Sequence, residues 1–133
     1  MSQENVEAVK TLFAAFADRH SEAAARVLDR GVEIRPAIVG GPEGVVYHGP
    51  DGMRQFWVDI DAAWAEFRIA PEEFRELDGG VLVLGRVLAR GQESGIPLDE
   101  QAAWIAEVRE GRIVRFQSFS SKAEALEAAG LRE

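Results

Sequence analysis

An α+β fold, with helices gathered on one face of a curved antiparallel sheet, is predicted by three features of the chain. Apolar residues recur at helical spacing through the first half, strand-like apolar runs fill the second, and the turns between those runs are too short for parallel crossovers. With 133 residues, 47% hydrophobic and 29% charged, the chain suits one globular domain spanning residues 1–133, large enough to bury a core.

The first helix runs from Asn5 to Ala17, where Val6, Val9, Phe13 and Phe16 form a stripe that Leu12 widens, with Glu7, Lys10 and Thr11 off it. Ser21 is placed to cap a second, short helix that turns Ala24, Val27 and Leu28 inward and stops at Gly31. The strand "GVEIRP" follows, ending at Pro36, which has no amide hydrogen for a ladder. Glycine and proline from Ala37 to Pro50 mark a loop, with a short hairpin around Val45 to His48. Asp51 is placed to cap a third helix in which Met53, Phe56, Trp57, Ile60, Trp64 and Phe67 follow at helical intervals.

After Phe67 the period changes. Segments 67 to 77, 81 to 92, 98 to 108 and 113 to 120 read as strands, separated by Asp78–Gly80, by a loop holding Gly95 and Pro97, and by Arg109–Arg112. Such short turns make an antiparallel meander. Ser121 and Glu124 spell a capping box that opens a last short helix ending at Gly130.

Composition narrows the partners. Net charge −8 repels phosphate backbones, so nucleic acid is not expected. No run approaches the roughly 18 apolar residues of a membrane span, and MSQENVEAVK lacks the basic and apolar regions of a secretory signal. A soluble, cytoplasmic protein without membrane contact is expected. The absence of cysteine excludes disulfides and thiolate chemistry. The two histidines, His20 and His48, lack metal-ligand spacing, and no glycine-rich phosphate loop precedes a helix, so neither a metal nor a cofactor is expected.

Three groups of residues are candidates for chemistry. Glu33 and Arg35 stand two apart on a strand and share a face, which is either a polar cavity or a wet exterior. His48, just before the third helix, is an acid or base near neutral pH if it meets a cleft, and otherwise an ordinary loop histidine. Trp104 and Phe116 share parity with Ala102, Ala106 and Ser118, a mixture of large and small that leaves either a ligand cavity or a filled core. Parity also groups Arg86 with Leu82, Leu84 and Leu88, while Val81, Val83 and Val87 form a second apolar face. A strand apolar on both sides predicts a homodimer joined through the sheets, or else a C-terminal helix covering the second face within one chain.

The motifs "VEIRP", "YHGPDGMRQFW" and "REGRIVRFQSFSSKAEALEAAGL", with the strands between, resemble the SnoaL-like family of the nuclear transport factor 2-like and ketosteroid isomerase-like superfamily. The resemblance covers nearly the whole chain. It implies a cone-shaped α+β barrel, its sheet packed on three N-terminal helices, with a pocket at one end and frequent dimerisation. Polyketide cyclases, ketosteroid isomerases and limonene epoxide hydrolases are members, as are many proteins with no known reaction, so fold alone does not give activity.

Compared with those enzymes the expected acids are missing. The isomerases' proton-abstracting aspartate aligns with Arg35, their tyrosine with Leu12, and their protonated aspartate with Trp104 or a neighbour. Arg86 resembles the arginine of the epoxide hydrolases, but its acidic partner position is Leu88, and the last-strand acid falls at Ser118. The resemblance therefore implies a pocket for a small, largely apolar or amphipathic molecule, drawing on Arg35, Trp57, Arg86, Leu88, Trp104, Phe116 and Ser118. Two alternatives stand beside it. One is an isomerase, polyketide-cyclase-like or epoxide-hydrolase-like enzyme using Glu33, with or without His48, as catalytic group; the other is a non-catalytic dimeric interaction domain with a filled core.

Overall fold

The computed structural model describes residues 2–36 and 45–130. Helix α1 (Ser2–Asp18) turns Val9, Leu12, Phe13 and Phe16 into the core, as its stripe requires. It stops at Arg19, which takes a left-handed φ of 52° and whose side chain then acts as a strut. The guanidinium donates to the Phe16 carbonyl at 2.6 Å, to both carboxylate oxygens of Asp61 at 2.9 and 3.2 Å, and to the Phe67 carbonyl at 3.1 Å. Three elements are fastened through one side chain.

Helix α2 (Ser21–Val27) is capped by His20 rather than Ser21: the His20 Nδ1 accepts from the Ala23 amide at 3.1 Å. Gly31 does not end this helix. The chain extends at Leu28, and Gly31 lies inside β1 (Leu28–Arg35). Of the glycine- and proline-rich loop, residues 37–44 fall outside the described residues, and the hairpin around Val45 reduces to the two residues of β2 (Tyr47–His48).

Helix α3 (Gly49–Ala63) has Pro50 in its first turn, where a missing amide costs nothing, and Asp51 pairs there with Arg54. Its cap position is His48, without a side-chain bond, so Asp51 is not the cap. Met53, Phe56, Trp57 and Ile60 are buried on one side. The helical period misleads beyond that point, because Trp64 and Phe67 belong to β3 (Trp64–Leu77). An interval of three or four also fits a helix that has already ended.

β3 continues into β4 (Gly80–Gly91), β5 (Pro97–Arg109) and β6 (Arg112–Phe119), each pair antiparallel. Between β5 and β6, Glu110 (φ 51°) and Gly111 (φ 77°) form a two-residue turn with both centres left-handed, the geometry that matches strand twist. The sheet order is β2-β1-β6-β5-β4-β3, with edges at β2 and β3, so the sheet curves without closing. One pair departs from the expected antiparallel pattern: β1 and β6 run parallel. The register of β3 slips between Pro71 and Glu73 opposite Gly85, where any side chain would strike the Ala70 carbonyl oxygen and Pro71.

The two faces of the sheet are apolar for different reasons. Toward the helices, Val81, Val83, Phe67, Trp104, Ala106, Ile113 and Phe116 join α1 and α3 in the main core, where Phe13 meets Trp104, Phe116 and Phe74 edge-on at 5.1 to 6.0 Å. On the far face, Leu82, Leu84 and Ala103 are sealed by Ala125 and Leu126 of α4 (Lys122–Ala128). Helix α4 opens as its capping box requires, the Ser121 hydroxyl accepting from the Glu124 amide at 3.1 Å. The doubly apolar β4 thus has an explanation within one chain, and the observation that suggested a dimer no longer demands one. No helix among the described residues is long and apolar enough to cross a membrane.

Candidate functional site

Where the sheet curves away from the helices it leaves a small recess, part of it open to solvent. Strand alternation builds its wall. Leu98, Glu100, Ala102 and Trp104 succeed one another on the helix-facing side of β5, and Phe116 and Ser118 do the same on β6. β3 and β4 add Phe67, Ile69 and Val87, while Phe16 of α1, Phe56 of α3 and Trp64 close the other side. Ala102 leaves space that a larger side chain would fill. Arg19 holds the backs of Phe16 and Phe67 by their carbonyls, so the rings of that wall come from fixed positions.

Polar groups are few. Gln101, Ser118 and Ser120 are the neutral ones, and the Ser120 hydroxyl already donates to Glu124 at 2.9 Å. Among the described residues that line the recess, Glu100 alone carries a charge. No group of three or more histidine, aspartate or glutamate side chains among the described residues could hold a metal ion.

Trp104, Phe116 and Ser118 line this recess; the other expected pocket residues lie elsewhere. Glu33 and Arg35 point to the far face, because Val32 and Ile34 between and beside them are buried in the core. There Arg35 donates to Glu33 at 2.8 Å, and Arg115 approaches the same carboxylate at 3.7 Å. The hydrogen bond from Arg35 holds the Glu33 carboxyl below the usual carboxylate range, which makes it a weak base, on the side of the sheet away from the recess. Arg86 also faces outward and is tied to Asp99 at 2.6 Å, the bond that raises its pKa further. Leu88 shares that outer parity and is not among the recess residues. Trp57 is buried against Phe16 at 5.8 Å and does not reach the recess; its Nε1 has no acceptor among the described residues.

His48 is exposed at the start of α3, paired in register with Glu33 and away from the recess. Beside it, Tyr47 donates to Asp59 at 2.6 Å, and Gln55 donates to the same carboxylate at 2.8 Å. Burial, then the bond to Asp59, pushes the Tyr47 hydroxyl up to about 12.

The acid and base two apart in "GVEIRP" are one of three such spacings that form an ion pair among the described residues. Glu66 and Arg68, then Glu73 and Arg75, repeat it on β3, with Phe67 and Phe74 between them packed in or against the core. Where Glu-x-Arg forms an ion pair within a strand of this protein, it marks the outward side. Sequence parity had also reached Trp104 and Ala102; two more steps back along β5 lead to Glu100 and Leu98. That signal was available, since the strand was already legible from residue 98 and the same parity extends to its first residues.

A curved, open six-stranded sheet wrapped on one side by helices is the architecture of nuclear transport factor 2-like proteins. Residues 9–116 match the model of the SnoaL-like domain, and the chain belongs to that family. No curated protein matches it. Among solved structures, TerC co-crystallised with polyporic acid aligns with a TM-score of 0.77 at 22% identity, over 96% of this chain and 98% of that one. A Catenulispora acidiphila protein of ketosteroid isomerase-like fold, in complex with trimethylamine, aligns at 0.75 and 15% identity, over 95% and 94%. IdmH, a putative polyketide cyclase from Streptomyces antibioticus, aligns at 0.72 and 16% identity, over 96% and 99%. Identities this low establish the shared fold.

Proposed function

We propose that the protein binds a small, largely apolar molecule in the recess between sheet and helices. The observation that carries this is a concave wall of aromatic and aliphatic side chains with one charged group, left unfilled by the rings around it. The similar structures with polyporic acid and with trimethylamine support small-molecule binding by this fold, and the two compounds differ enough that lining residues, rather than fold, must choose the ligand. An interaction domain with a filled core is disfavoured by the same recess. Catalysis by Glu33 is disfavoured too, since the carboxylate and the recess lie on opposite sides of the sheet.

Melting curves with tert-butylbenzene test the proposal, because a ligand bound only by the folded state raises the melting temperature. The wild type should gain stability and Ala102→Phe, which fills the recess, should not. No gain in the wild type with this probe or with its charged isostere phenyltrimethylammonium, or an equal gain in the variant, rejects it. A homodimer through the sheets stays a separate proposal, carried by Leu88, an outer residue that is only half-buried and lies outside the cluster α4 seals. Native mass spectrometry decides it: two chains per particle support it, and one chain overturns it.

A further inference from the structure

The charges around the recess define its ligand more narrowly. We propose that the recess selects a cation with an apolar body, a tertiary or quaternary alkylammonium compound, its positive end held between the Glu100 carboxylate and the aromatic wall. The proposal rests on the recess being a ligand chamber, and it adds a sign of charge.

Three observations point the same way. Glu100 is the one charged residue lining the recess among those described, and it takes part in none of the ion pairs the described residues form. Phe16, Phe56, Phe67, Trp64, Trp104 and Phe116 surround the space, and ring faces carry partial negative charge that attracts a cation within about 6 Å. The arginines that would have received an anion, Arg35 and Arg86, face outward and are bound to Glu33 and Asp99.

An anionic ligand would meet a carboxylate that no described residue holds in an ion pair, in a protein of net charge −8. A neutral ligand gains burial and, at most, hydrogen bonds to Gln101 and Ser118. An alkylammonium gains burial, the ring quadrupoles and Glu100 together. A primary ammonium is the weaker candidate, because its strong hydration would be lost against apolar walls. Glu100 is exposed at the rim, so its share is modest, a few-fold in affinity, and the rings supply the rest.

Phenyltrimethylammonium and tert-butylbenzene have the same shape and differ by one charge, and benzoate supplies the opposite sign. Calorimetric titration of wild type and Glu100→Gln with all three tests the proposal; the substituted side chain is exposed, so the variant folds. The cation is expected to bind about tenfold more tightly than tert-butylbenzene, and benzoate more weakly than either. Glu100→Gln should weaken the cation roughly three- to fivefold and leave tert-butylbenzene unchanged. Binding of tert-butylbenzene as tight as that of the cation, or a cation affinity untouched by Glu100→Gln, overturns the charge selection and leaves the chamber standing. Failure of all three probes to bind removes the chamber and the selection together.

Discussion

On β6, Arg115 and Phe116 are neighbours in sequence and opposites in circumstance. Phe116 is 1% exposed and meets Phe13 at 5.7 Å, whereas Arg115 stands on the far face and approaches Glu33 at 3.7 Å. Across the parallel ladder β1 repeats the contrast, with Ile34 inside and Glu33 outside. The difference teaches where this protein keeps its two kinds of chemistry. The main core and the recess lie on the helix side, while the ion pairs between strand residues lie on the other side in water, where each contributes little.

Truncating a ring on the inner side should produce the largest effect. Phe116→Ala is expected to cost about 3–5 kcal/mol in urea unfolding, and Arg115→Ala a small fraction of that; similar losses from the two would erase the contrast. Tyr47 sharpens it, because its ring packs against Phe56 while its hydroxyl reaches out to Asp59. The chain has one tyrosine, so tyrosinate absorbance follows this group alone. Its folded value of about 12 lies above the ordinary value near 10. Between those pH values the folded chain keeps a proton that the unfolded chain releases, so its contribution to stability is complete below about pH 10 and lost as pH rises toward 12. Native protein should titrate near the upper end and Asp59→Asn lower; a native midpoint near 10 would contradict the half-buried, Asp59-bonded setting.

The smallest effect belongs to the outer pair. Arg35 lowers the Glu33 pKa, so that contribution is present above the ordinary carboxylate range and lost as pH falls through the lowered value. Because the carboxylate is open to solvent, Glu33→Gln at neutral pH should move the melting temperature by no more than about 2 °C. Affinity for tert-butylbenzene should stay the same, and a loss of binding would put Glu33 back at the site.

Parity along each strand was legible in the sequence, and the groupings of Arg86 with Leu82 and of Trp104 with Ala102 are those of the structure. What the sequence withheld was which group faces the helices. On β1 the answer lay in Val32 and Ile34, whose burial sends Glu33 and Arg35 outward. On β4 both groups are apolar, so nothing within that strand indicates the side, and the deciding partner is α4, more than thirty residues later. The end of α3 was hidden for a related reason: Trp64 and Phe67 satisfy helical spacing while belonging to a strand, and only the extended backbone at Trp64 separates the two. The recess was half visible, through Trp104, Phe116 and Ser118, since its remaining wall comes from elements that sequence spacing does not bring together.

Helix α4 has seven residues, too few to persist as a helix away from the sheet, so its winding and its seating are a single event. When that event reverses, Leu82, Leu84 and Ala103 turn from interior into an adhesive strip facing solvent. The seating of those few residues therefore decides whether this strip of the sheet is interior or surface.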